Sequence, residues 1–140
     1  MLSVSTAYAV PESSAYGHIV TESEQVVTAE TKAAVHSNTE AIVRDYFKDI
    51  PVMIQVARCE SHFRHTLADG TILRGVVDSA DTGVMQINKR YHSAKAAALG
   101  LNLDDIYGNM AYARHLYETQ GVQPWNASAP CWNQTLAINI

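Results

Sequence analysis

A glutamate that directly follows a cysteine, at what reads as the oily end of a helix, is placed to hold and release a proton. Glu60, in the run ARCESHF at 57–63, has that position. Reading back from it, Ile50, Met53, Ile54 and Ala57 fall at helical spacing, so Glu60 extends an apolar stripe. A carboxylate on such a stripe is partly withdrawn from water. Desolvation disfavours the charged form and raises the pKa, which turns a glutamate into a proton donor near neutral pH. The competing reading is a carboxylate turned to solvent or paired with Arg58 or Arg64.

The second stretch with chemical content is DTGVMQINKRYH, 81–92. Asp81, Gln86 and Asn88 bring an acid and two amides close together, Gly83 stands where a backbone must approach something closely, and Val84, Met85 and Ile87 supply apolar contact. This mixture suits a neutral polyhydroxylated ligand. Taken alone, a glutamine and an asparagine near a turn serve equally well to satisfy backbone groups. Cys59, His62 and His65 have a C-x-x-H-x-x-H spacing that Cys131 could complete as a zinc set. One disulfide in a small exported chain accounts for both cysteines without a metal, and two free thiols are the remaining alternative. No metal and no cofactor are expected. His92 and His115 read as packing or surface histidines, Asp69 and Asp78 as surface acids, and Trp125 and Trp132 as cleft or core residues. Asn126-Ala127-Ser128 and Asn133-Gln134-Thr135 match a glycosylation acceptor, a pattern frequent by chance.

The elements that must position these residues follow from caps and breakers. Ser37-Asn38-Thr39-Glu40 is a capping-box pattern opening a helix through Ala41, Ile42 and Tyr46 to about Phe47. Asp49 is expected to cap a second helix, with Pro51 in its first turn and Glu60 near its end. Asp69-Gly70, between the runs HTLA and TILRGVV, predicts a hairpin over 64–77. A helix from about Tyr91 to Leu99 should stop at Gly100, and another, begun by Asp104 or Asp105, should run through AYARHLYETQ to Gly121. The fold class is therefore α+β, mainly helical with one small hairpin.

Bulk properties narrow the function classes. With 140 residues, 47% of them hydrophobic, the chain is sized for one compact domain. A formal net charge of -4 and the lack of any basic run leave a nucleic-acid or anionic-membrane surface unsupported. No apolar run approaches the roughly 20 residues of a membrane span. Ala7-Tyr8-Ala9 has the small-x-small form of a secretory cleavage site, so 1–9 reads as the remnant of an export signal, or else as an ordinary terminus. Residues 10–36 are expected as a leader of low order, 37–133 as the domain and 134–140 as a tail. The protein is expected to be exported and monomeric.

CESHF followed by GVMQIN resembles the lysozyme-like superfamily, specifically the soluble lytic transglycosylase type of domain, in which a Glu-Ser pair ends a helix and a Gly-x-Met-Gln segment lines the cleft opposite. The similarity runs from about Ala41 to Trp132. Asn109 with AYARHLYETQGVQPW is similar to the family's following helix, and PWNASAPCW resembles the closing segment of resuscitation-promoting-factor domains. Those relatives bond a cysteine beside the acid to one near their C-terminus, which implies a Cys59–Cys131 bridge. The Ala-Tyr-Asn motif of many transglycosylases is absent, and Ala111-Tyr112-Ala113 does not replace it.

The resemblance implies a lysozyme-like fold and a peptidoglycan glycan strand as partner, cut at the β-1,4 bond next to N-acetylmuramic acid. Glu60 would protonate the leaving oxygen and then accept the proton of the muramoyl C6 hydroxyl, giving 1,6-anhydro ends. Ser61, Gln86 and Asn88 would hold the sugar, with the backbone approach at Gly83, and Met85, Tyr91 and Trp125 would offer apolar faces. DTGVMQIN is also similar to the DYG-x-x-QIN segment of animal-type lysozymes, which makes Asp81 the second carboxylate of an alternative retaining hydrolase. A carbohydrate-binding module of the same fold without turnover is the reading from a different class.

Overall fold

The computed structural model describes residues 38–138, with side chains to 134. The expected signal remnant, the leader and the Ser37 cap lie outside the described residues. The architecture is mixed and mostly helical, with one two-stranded antiparallel sheet.

Helix α1, described over 38–46, turns inward with Val43 and, just past its end, Phe47, four residues apart and both fully buried. Helix α2, Pro51–Ser61, buries Met53, Val56, Ala57 and Ser61 along one stripe. Its N-cap is Ile50, without a side-chain cap, and Pro51 occupies the first turn, where a missing N–H costs nothing. The expected Asp49 cap is therefore replaced. Both Asp49 carboxylate oxygens accept from Arg114 at 2.8 Å, and the same guanidinium donates to the Tyr46 carbonyl. A distant arginine outbids a local backbone amide, because a bidentate, charge-assisted pair is the stronger bond.

The backbone leaves α2 through two consecutive residues in the left-handed region, His62 at φ 53° and Phe63 at φ 58°. Phe63 is buried, so core packing holds a conformation that an ordinary side chain adopts at a cost of about 1–2 kcal/mol. The predicted turn at Asp69-Gly70 forms, with Gly70 at φ 83° and the Asp69 carboxylate accepting from the Thr71 amide and hydroxyl. Its flanks pair antiparallel at the single bridge Thr66–Ile72, so the expected hairpin over 64–77 is reduced to one bridge about that turn. The sheet lies further on. Strand β1, Asp81–Thr82, pairs with β2, Ile87–Asn88, in the register Asp81–Asn88 and Thr82–Ile87.

Helix α3, Lys89–Ala98, begins earlier than the sequence suggested because the Asn88 side chain accepts from the Arg90 amide and caps it. Helix α4, Ile106–Gln120, starts at the Asp105 cap and stops at Gly121 as expected. A 3-10 turn, Gln123–Ser128, then leads into α5, Ala129–Ile138, which packs on α2; residues expected as a tail continue this helix. The core gathers Val43, Phe47, Met53, Val84, Met110 and Tyr112 from the helices and the 82–87 turn.

Candidate functional site

The apolar stripe of α2 ends on Glu60, which is half-buried in a cleft of about 160 Å³. One wall is the β1–β2 pair with Asp81, Gln86, Ile87 and Asn88, and the other is the 3-10 turn with Pro124, Trp125 and Ala127. His92 from α3 and Leu116 from α4 close the lining. Burial pushes the Glu60 carboxyl above its ordinary range, a hydrogen bond from Ser128 opposes this, and the negative charge of Asp81 adds to the upward shift. The sequence-derived alternatives for Glu60 resolve through its neighbours. Arg64 turns back to the Ser61 carbonyl, and Arg58 donates to Gln55 and lies against the disulfide.

Asp81 sits on β1 opposite Asn88, whose amide donates to it at 2.8 Å and to Asp78 at 3.0 Å. Asp78 in turn pairs with Arg90, and its carboxyl lies below the usual range because it accepts first from the Ala80 amide and then from Asn88, with the Arg90 charge adding to this. Asn88 thus has three roles: it fixes Asp81, caps α3 and lines the cleft. Gln86, at φ 49° in the tight 82–87 turn, lines the cleft while its side-chain amide donates to the Gly83 carbonyl.

Several residues expected at the ligand stand behind the cleft. The Ser61 hydroxyl is buried, donating to the Ala57 carbonyl and accepting from the Arg64 amide, so it finishes the helix. Met85 is fully buried. Gly83, at φ 73°, is pressed on protein and not on a ligand: a Cβ there would come within 2.6 Å of the Asn109 amide and 2.7 Å of the His65 ring. Tyr91 projects outward, 72% exposed. Trp125 lines the cleft and is only 3% exposed, with its indole N–H donating to the Met85 carbonyl.

Two buried side chains hold the 82–87 turn in place. Asn109 donates to the Thr82 and Leu103 carbonyls and accepts from the Met85 amide. His65 accepts from the Val84 amide at Nδ1 and donates from Nε2 to the Asp104 carbonyl. These bonds place the Nε2 proton toward the Asp104 carbonyl. The zinc alternative fails on the same residues, because His65 is committed to these bonds and Cys59 and Cys131 form a disulfide.

Sequence reasoning missed Ser128 and undervalued His92. The Ser128 hydroxyl donates to Glu60 Oε1 at 2.5 Å from a residue 68 positions away. Nothing in QPWNAS marks it, although the expected bridge at Cys131 brings that segment close to Glu60. His92 faces the cleft with Nδ1 3.0 Å from the Tyr112 hydroxyl, and burial lowers its pKa and keeps it neutral. The arrangement can deliver a proton from a desolvated carboxyl to an oxygen in the cleft, opposite a second carboxylate. No family model, curated protein or solved structure matches this chain.

Proposed function

We propose that the protein cleaves the β-1,4-linked glycan of peptidoglycan, with Glu60 as the general acid, in the manner of a lysozyme-like lytic transglycosylase. The observation that carries this reading is a half-buried glutamate, raised in pKa by desolvation, opposite Asp81, Gln86 and Asn88 across one cleft. A cleft edged by amides, a neutral histidine and apolar surface suits a neutral polyhydroxylated polymer. Glu60 gives its proton to the leaving glycosidic oxygen, the C1–O bond breaks, and the muramoyl C6 hydroxyl attacks C1 while its proton passes to the Glu60 carboxylate. The carboxyl is then back in its starting form, and the product carries a 1,6-anhydro end. The disulfide fits export to an oxidising compartment where such a polymer lies.

A second route is favoured by one observation, the presence of the Asp81 carboxylate in the same cleft as Glu60, where its charge adds to the upward shift of the Glu60 pKa. In that retaining-hydrolase route Asp81 stabilises or bonds the sugar cation and water completes the reaction. Digestion of purified peptidoglycan followed by mass spectrometry of the fragments separates the readings. Anhydro ends support the transglycosylase, reducing ends support the hydrolase, and unchanged polymer contradicts both.

A further inference from the structure

We propose that Ser128 is the positioning residue of this site: its hydroxyl holds Glu60 Oε1, which leaves Oε2 as the oxygen that delivers and takes back the proton. The inference rests on the reading of Glu60 as an acid and base. Its geometry stands independently of that reading. The Ser128 hydroxyl has one proton and two acceptors, Glu60 Oε1 at 2.5 Å and the Trp125 carbonyl at 3.1 Å. The carbonyl already receives the Trp132 indole N–H at 3.0 Å, so it does not need the hydroxyl. The shorter bond wins the proton: charge on the acceptor strengthens it when Glu60 is ionised, and when Glu60 is neutral the Trp125 carbonyl, already served by the indole, competes only from 3.1 Å.

The consequences differ for the two forms of Glu60. In the neutral form Oε1, as acceptor of Ser128, is the carbonyl-type oxygen, and the acid proton resides on Oε2. When that proton has gone to the leaving oxygen, the same Ser128 bond stabilises the new carboxylate, which then takes the C6 hydroxyl proton. Without the hydroxyl either oxygen could carry the proton and the carboxylate would be less stable. Ser128 is held for this by the fold: its 3-10 turn is pinned at Trp125 to the Met85 carbonyl and continues into α5, which the Cys59–Cys131 bridge fastens to the residue beside Glu60. Among the described residues, the ionisable groups sharing the cleft with Glu60 are Asp81 from β1 and His92 from α3; α4, the 3-10 turn and the described side chains of α5 add none there.

The test titrates Glu60 directly, by its side-chain carboxyl carbon in NMR, in the wild type, Ser128→Ala and Ser128→Thr, beside the pH profile of peptidoglycan cleavage. Ser128 is partly exposed and alanine suits a helical turn, so folding is not at stake. In Ser128→Ala the Glu60 pKa should rise by about one unit, as expected for losing a hydrogen bond to a charged group. The alkaline limb of activity should move up with it, kcat should fall about tenfold through misorientation and KM should stay unchanged. Ser128→Thr should restore the wild-type titration. An unmoved Glu60 pKa in Ser128→Ala would overturn the assignment, whether or not the glycan is cut. A moved pKa in a protein inert towards peptidoglycan would sustain the Ser128 contact and defeat only the proposed reaction.

Discussion

Glu60 gains its chemical interest from opposing effects, of which burial is the largest. Burial and the Asp81 charge destabilise its carboxylate, while Ser128 stabilises it. Because burial is the largest of these, the folded pKa lies above the unfolded one, and the sign of the linkage follows. The native state binds the proton more tightly, so the contribution of Glu60 to stability is intact below the unfolded value of 4.5 and is lost as pH rises through the raised folded value. Urea unfolding of Glu60→Gln should therefore match the wild type near pH 4 and show the variant as the more stable protein at pH 8. Asp81 poses the other residue-scale question. Asp81→Asn keeps an acceptor for the Asn88 amide, so its effect reports charge and not folding. On the transglycosylase route the loss of kcat should stay within about tenfold. On the hydrolase route it should reach roughly 10²–10³-fold, the scale of a lost electrostatic stabiliser. Steady-state rates on purified peptidoglycan distinguish the two.

At the scale of elements, the cleft depends on how the 82–87 turn is gripped from behind. Asn109 satisfies three backbone groups of neighbouring segments while fully buried itself. Asn109→Ala should leave them unpartnered and lower the unfolding free energy by about 3 kcal/mol or more, read by urea denaturation. Local signals were legible where the partner is local: the Asp105 cap, the Gly121 stop and the Pro51 start follow from nearest-neighbour chemistry. They failed where a distant group intervenes. Asp49 reads as a cap until Arg114, 65 positions away, claims it. The residues 64–77 read as a hairpin, yet past the single Thr66–Ile72 bridge the second flank turns to β1, with Leu73 accepting from the Gly83 amide and Arg74 bridging to Thr82. Met85 and Gly83 read as ligand contacts, yet Met85 is fully buried and Gly83 is pressed on Asn109 and His65, because types and spacing reveal that a turn is special and not which of its faces is buried. Ser128 carried no pattern; only three-dimensional proximity exposes it.

The whole molecule is closed by the link between α2 and α5. The Cys59–Cys131 disulfide spans a sequence separation of 72 and joins the residue next to Glu60 to the helix that follows Ser128. In the chain-entropy model a loop of that size is worth ~4 kcal/mol. The double variant Cys59→Ser/Cys131→Ser should therefore lose about that much stability in urea unfolding, and the part that survives folding should cut glycan more slowly because Ser128 is held less firmly. Alkylation of the wild type without reductant should label no cysteine in intact-mass measurement. The central claim concerns the acid itself, and it is tested most directly by the rate of peptidoglycan cleavage by Glu60→Gln beside the wild type, with circular dichroism to establish equal folding. The account predicts a folded variant whose rate is lower by at least about 10²-fold, the lower range for a general acid; a folded variant that cuts at nearly the wild-type rate would contradict it.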